Sequence, residues 1–312
     1  MLGLIFKRLL LGIPTVLAVT AVLFIGVIWL QGSPATLMLG DTASPQAIAA
    51  LNAKYGFDKP LGLQYINWLG AALQGDMGRS FATQQSVSSV VRSALPVTLE
   101  LSLWAVGLAA LSAVVLNTVP IGQRVLSPLI TFVSIIGITI PNFMLGVSLI
   151  YVFSMILGWL PSTGWVPWSD GVVLHLKHLA MPVLTLAAYY FGVFSITYRS
   201  QYAAADRSLF AQVARAKGVS ESGVAFKHAL PNAISPLIIF IGISMGQLVG
   251  GAVVTETVFS MPGMGRLFVT AIGAKDFPVM LAIGIIIIVG VVLTNLVADI
   301  VHAIVDPRIR PK

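Results

Sequence analysis

The sequence predicts an all-α polytopic membrane protein with six transmembrane helices. Three observations carry that prediction. First, the 312 residues are 57% hydrophobic and only 9% charged, with mean hydropathy +0.94. A soluble domain carries about 25% charged residues, so there is too little charge here to coat soluble surfaces. Second, six stretches approach or exceed the ~20 apolar residues that a spanning helix needs. They run over 9–30, 101–119, 130–157, 179–198, 234–255 and 279–298, and none contains Asp, Glu, Lys or Arg. Third, the short alternating segments of a membrane β-barrel are missing. The chain has no cysteine, which excludes disulfides, thiolate metal sites and cysteine nucleophiles. The net charge of +7 is too scattered for a nucleic-acid patch.

The first stretch follows Lys7 and Arg8. Its apolar run is too long for a signal-peptide core and no small-x-small cleavage site follows, so it reads as a retained anchor. With six spans both termini share a side. That side holds 11 of the 18 Lys and Arg residues, the other side 7, and four of those 7 fall in the long segment 31–98. Short segments decide orientation, and basic residues stay inside. The bias is then 11 to 3, and both termini are expected in the cytoplasm.

Residues 31–98 read as a structured outer segment. Ser44 can cap a helix with Pro45 at its first position, and Gly56 can end it. Ala47, Ile48, Leu51 and Tyr55 make a weak helical stripe. Pro60 opens a second helix with Leu61, Tyr65, Trp68, Leu69 and Leu73 on one face and Gly75 as its stop. That helix can lie along the membrane interface or cap the bundle. The segment either packs only, or docks a partner.

Residues 199–233 read as the main inner loop. Asp206 can cap a helix over 207–217, with Gly218 ending it. Ser220 can cap a second helix that runs to Leu230, where Pro231 stops it. The result is a compact knob. Arg215, Lys217 and Lys227 give it a basic face, and Ala211, Val213, Ala214 and Ala216 give it small contact surfaces. Physics alone leaves this open between a partner-seating knob and an ordinary basic loop.

Here the residues resemble a family. The signature EAA-x3-G-x9-I-x-L-P of inner-membrane permease subunits of ABC importers is matched by Ala214, Gly218, Leu230 and Pro231, and residues 214–218 read ARAKG. YGFDKPLGLQYINWL at 55–69, GDMGRS at 75–80, LPSTGW at 160–165, ETVFSMPGMGRL at 256–267 and DPRIR at 306–310 are similar, in order, to segments of the dipeptide/oligopeptide/nickel branch. The chain departs from the signature at Gln212, Val213 and His228, which stand for its glutamate, first alanine and isoleucine. Phe210 and His302 stand where the branch has tyrosines. The carboxylate missing at 212 removes any salt bridge based there.

The resemblance implies a permease domain over 99–305, after a first span within 1–30 and before a tail over 306–312. It implies an ATPase-coupling region of Gln212, Val213, Ala214, Arg215, Ala216, Lys217, Gly218, Val219, His228, Leu230 and Pro231. It implies a re-entrant outer segment over 256–278 carrying Phe259, Pro262, Gly263 and Gly265. The expected partners are a second permease subunit, two cytoplasmic P-loop ATPases and a periplasmic or lipid-anchored solute-binding protein. ATP and Mg would be bound by the ATPases, with no cofactor in this chain. The expected place is the bacterial cytoplasmic membrane. The expected cargo is peptides or peptide-like solutes, with nickel chelates, opines and short glycans open within the family.

The chain itself shows no engine. It lacks a G-x4-G-K-[ST] loop, HExxH and G-x-S-x-G. His175 and His178 have the i, i+3 spacing of a ligand pair but read better as interface residues, so no metal is expected. Asn142, Gln247 and Glu256 are candidate polar pathway residues. Glu256 reads first as an anchor for the turn at Pro262 and Gly263. Gly242, Gly246 and Gly250 form a small ridge, open between subunit interface and internal packing. Asp299, one turn before His302, suggests a structural pair. A stand-alone secondary transporter or channel is the alternative class. It would need internal repeats or intramembrane charges, and neither is evident.

Overall fold

A computed structural model describes residues 2–31, 34–39, 43–118 and 127–305. Arg124 and the DPRIR tail lie outside the described residues, as do the side chains of Lys7, Arg8, Tyr55, Gln247 and His302. The described residues form thirteen α-helices: α1 (Leu2–Gln31), α2 (Pro34–Leu39), α3 (Pro45–Tyr55), α4 (Leu61–Leu73), α5 (Val87–Thr118), α6 (Ser127–Thr139), α7 (Asn142–Leu149), α8 (Val172–Asp206), α9 (Leu209–Ala216), α10 (Glu221–Val224), α11 (Leu230–Val258), α12 (Met264–Gly273) and α13 (Phe277–Val305). No β-strand occurs among them. Helices are required here because hydrocarbon offers backbone groups no outside partner.

The apolar runs are shorter than the helices they nucleate. The run at 101–119 belongs to a helix that starts at Val87, and the run at 179–198 sits inside the 35-residue α8. α8 is the mast of the bundle, packed against α5, α6 and α11. Its buried Leu186, Tyr190, Phe194 and Tyr198 meet Leu101, Ala105 and Ala109 of α5 and Leu237 and Leu248 of α11. A second cluster stands apart from this one. It joins Phe24 and Val27 of α1, Val87 and Val91 of α5, Met264 of α12 and Phe277 to Ile283 of α13.

The stretch at 130–157 is not one helix. α6 and α7 meet at 110°. Pro141 is the cause. It has no N–H to donate and its ring pushes Ile140 out of helical conformation, and its own backbone is extended (φ −58°, ψ 136°). The pair still crosses the bundle. At one end, Arg199 Nη2 donates to Ser127 Oγ at 2.5 Å. Beyond the other end, the Val166 carbonyl accepts from His175 Nδ1 at 2.6 Å. His175 and Arg199 lie on α8, and the 24 residues between them rise about 36 Å, enough for a hydrocarbon core of ~30 Å. The chain from α6 to Val166 therefore runs the length of α8, as a broken span would.

The glycine ridge packs internally where the structure settles it. A Cβ at Gly242 would collide with Ala298 of α13, while Gly250 faces open space.

Candidate functional site

The knob at 206–231 is built by a clamp and a turn. α8 runs on through Asp206, so Asp206 is its last residue rather than the cap of the next helix. Ser208 takes the cap position of α9. Asp206 instead holds Arg215: its carboxylate accepts from Nη2 at 2.5 Å and its carbonyl from Nη1 at 2.9 Å. Glu221 accepts from Arg215 Nε at 3.1 Å. Hydrogen bonds to Glu221 first and Asp206 second push the guanidinium pKa further up. Arg215 is thus an internal strut and not part of a free basic face. The carboxylate that position 212 lacks is supplied from 206 and 221, while Gln212 Nε2 donates to the Arg207 carbonyl at 2.9 Å.

α9 ends at a glycine because the chain must turn left-handed. Gly218 has φ +82°. Its N–H reaches the Arg215 carbonyl at 2.9 Å and the Val219 N–H reaches Ala214 at 3.2 Å, the paired bonds of a Schellman turn. Ser220 then caps α10, accepting from the Gly223 N–H at 3.2 Å. Pro231 does not stop that helix. A π-helical turn over Ala225–Ala229 leads into α11. Such a turn fits Pro231, whose missing N–H and bulky ring a regular turn would not accommodate. His228 is half-buried, and its carbonyl accepts from Asn232.

Burial divides the expected contact surface, leaving Val213 and Ala216 exposed and turning Ala211 and Ala214 inward. Ala211 and Ala214 face inward onto Val224, with Val219 against them. The outward face is Leu209 (77% exposed), Phe210 (42%) and Val213 (45%), with Ala216, Lys217 and Gly218 exposed beside them. The sequence reading gives Leu209 no role and marks Phe210 only as a departure from the family pattern. Their signal was the strong one-sidedness of an eight-residue helix in which Ala211 and Ala214, not the large residues, are buried.

The end of the bundle away from the knob is tied by carboxylates. Glu256 is fully buried at the end of α11. It accepts from Thr98 Oγ1 at 2.5 Å and from the Arg266 N–H at 3.0 Å. Thr98 in turn accepts from the Met264 N–H at 2.8 Å. A Cβ at Gly263 would collide with the Glu256 carboxylate, and one at Gly265 with the Val253 backbone. Phe259 is buried, and its carbonyl accepts from the Gly164 N–H at 2.7 Å. After Pro262, α12 folds back against α11 and α5. Glu256 is therefore an anchor here, out of reach of a solute. Asn142 opens α7 and is half-buried.

Two further knots complete this end. Asp276 takes the Ser80 hydroxyl and, at 3.0 Å, the Phe81 N–H, fastening the turn at 75–80 to the start of α13. Glu100 accepts from Trp168 Nε1 at 2.6 Å and lies 3.0 Å from His175 Nε2. His175 is buried and stacks on Trp168 at 3.8 Å, whereas His178 is half-buried and its Nδ1 lies 2.9 Å from the Leu174 carbonyl. The two histidines do not form a ligand pair. In the segment 31–98, Ser44, Pro45 and Gly56 bound α3 as expected. Tyr65 and Trp68 of α4 pack on Phe24, while Leu61, Leu63, Ile66 and Leu73 remain exposed.

Comparison with known proteins decides what this architecture is. Residues 105–311 match the family of binding-protein-dependent transport system inner membrane components, and residues 1–102 match its N-terminal model. The chain belongs to that family. It is an ABC importer permease of the peptide/oligopeptide group, a multi-pass inner-membrane protein. The permease is 38% identical to a glutathione transport system permease protein of Salmonella choleraesuis, with both chains covered fully. It is 37% identical to a protein of the same name from Escherichia coli, again over both full lengths. It is 35% identical to a putative peptide transport system permease protein of Brucella abortus, over 99% of each chain.

Proposed function

We propose that the permease forms half of the translocation pathway of an ATP-driven importer for peptides or peptide-like solutes, a small thiol peptide such as glutathione among them. The full-length similarity to permeases named for glutathione and peptide transport supports that cargo class. A second permease subunit supplies the other half. A solute-binding protein delivers the cargo to the outer surface formed by 31–98 and 256–278. The termini and the knob lie in the cytoplasm, where two ATPase subunits bind ATP and Mg. Asn142 and Gln247 stand as pathway residues.

One observation carries the coupling role of residues 209–231. An internally braced knob presents Leu209, Phe210 and Val213 to solvent. Large apolar side chains grouped on a protruding polar loop mark a protein contact. The Arg215 clamp makes that contact stiff, so closure of the ATPases would move α8 and α11 together.

Affinity purification of the tagged complex from native membranes, followed by reconstitution, tests the proposal. The expected result is co-purification of a second permease and P-loop ATPases, with hydrolysis stimulated by a peptide-loaded binding protein. A chain that purifies alone and catalyses ion-driven uptake would sink it.

A further inference from the structure

We propose that the knob end of the bundle holds an anionic phospholipid, its headgroup at Arg199 and Arg207 and one tail in the groove between α6 and α8. Two adjoining hollows make the site. The first, about 220 Å3, is lined by Asn117, Ser127, Arg199, Tyr202, Asp206 and Arg207. The second, about 370 Å3, shares Ile130, Arg199 and Ala203 with the first and adds Ser134, Ser195 and Ile196. Ser195 and Ser134 each lie four residues, about one turn or 5.4 Å, deeper along their helices than Arg199 and Ile130. The pair of hollows thus runs from a charged mouth into the apolar part of the bundle.

The mouth is positive. Arg199 Nη1 donates to Thr131 Oγ1 at 2.7 Å and Nη2 to Ser127 Oγ at 2.5 Å. These hydroxyls aim the guanidinium without neutralising it. Among the described residues no carboxylate pairs with Arg199 or Arg207, and the one acid in the lining, Asp206, is committed to Arg215. A guanidinium offers a planar fork of donors matched to phosphate oxygens. Basic pockets between membrane helices are where anionic headgroups settle.

The groove selects a lipid over free phosphate. Ser134 Oγ bonds back to the Ile130 carbonyl at 2.7 Å, so it asks nothing of a ligand. Ile196, in the groove lining, is 50% exposed, and Leu129, Phe132 and Val133 elsewhere on α6 are exposed too. Ile130 and Ile196 give the groove an apolar wall on helices that pass through hydrocarbon, where an acyl chain can lie. Asp206 and Arg207 join α8 to α9, so a bound headgroup would sit at the base of the knob. The inference uses the membrane reading of these helices and is independent of the cargo.

Native mass spectrometry of the detergent-purified full chain tests it, using phosphatidylglycerol, phosphatidylcholine of the same acyl chains, and inorganic phosphate. The expected result is a retained phosphatidylglycerol adduct with little phosphatidylcholine and no phosphate bound. R199Q/R207Q should weaken phosphatidylglycerol binding roughly 30-fold, the contribution of two arginines at a lipid surface. The amide introduced by R199Q keeps a donor for Ser127 and Thr131. I196W, which fills the groove and leaves both arginines in place, should also lose the adduct, and it decides the matter if the double variant does not fold. Equal retention of both lipids, undiminished binding in R199Q/R207Q or in I196W, or phosphate binding as tightly as the lipid would each overturn the proposal.

Discussion

At the scale of single residues, carboxylates at the bundle's ends do most of the fastening. Glu256 gathers Thr98 and the Arg266 N–H in a site closed to solvent. Glu256→Ala would strand both donors, at about 1–3 kcal/mol for each buried group left unpaired. We expect a clearly lowered unfolding temperature in detergent for Glu256→Ala and a smaller loss for Glu256→Gln, which keeps an acceptor. Equal stability of Glu256→Ala and wild type would remove the anchor role. Arg215 is different because it is partly exposed. Exposed ion pairs are worth about 0.2–1 kcal/mol each. Arg215→Ala should leave global unfolding nearly unchanged while making the 206–221 backbone more open to hydrogen exchange. The Glu256 anchor was legible from its place before a Pro-Gly turn. The role of Asp206 was not. An Asp ahead of a helical run reads as a cap by local rules, and only the folded chain shows that Arg215 comes back to claim it.

At the scale of elements, proline and glycine act through what the chain around them can absorb. Pro141 breaks a span into two helices, whereas Pro231 is carried inside a continuous helix by a π-helical turn. Sequence reading carried 130–157 through Pro141 as one span and took Pro231 as a stop, and the structure reverses both, because a proline's local rule does not say whether the surrounding chain absorbs it as a break or as a bulge. The caps at Ser44 and Ser220 and the stops at Gly56 and Gly218 were legible, since each rests on contacts within a few residues. Gly218 yields a sharp prediction. Its left-handed backbone makes Gly218→Ala cost roughly 1–2 kcal/mol, yet no other atom lies within 4 Å of where its Cβ would be. Gly218→Asp, with a side chain that tolerates this conformation, should therefore fold well. If the knob seats on an ATPase, the same variant should keep ATP hydrolysis and lose uptake in reconstituted vesicles. Full uptake by Gly218→Asp would show that position 218 is not at the contact.

At the scale of the whole molecule, composition declared the hydrocarbon environment and charge bias suggested the sidedness, because both are sums over many residues. The contacts that join distant segments, such as Asp276 to the turn at 75–80, were beyond sequence patterns since nothing local encodes them. Sidedness depends on the broken α6–α7 pair. If it crosses, the chain passes six times and both termini share a side. If it were re-entrant, five crossings would remain and the termini would part. The ties from Ser127 to Arg199 and from Val166 to His175, at opposite ends of α8, argue for the crossing. The chain has no cysteine, so single cysteines can report accessibility without background. Ser222→Cys, in the exposed knob, should resist a membrane-impermeant maleimide in intact cells and label after permeabilisation. Ser169→Cys, in the exposed loop before α8, should label in intact cells. A cysteine placed at Met1 should behave as Ser222→Cys does. Matching behaviour of the 1 and 222 sites, opposite to 169, fixes the six-crossing topology with the knob inside. Labelling at 1 that follows 169 would mean that the α6–α7 pair turns back within the membrane.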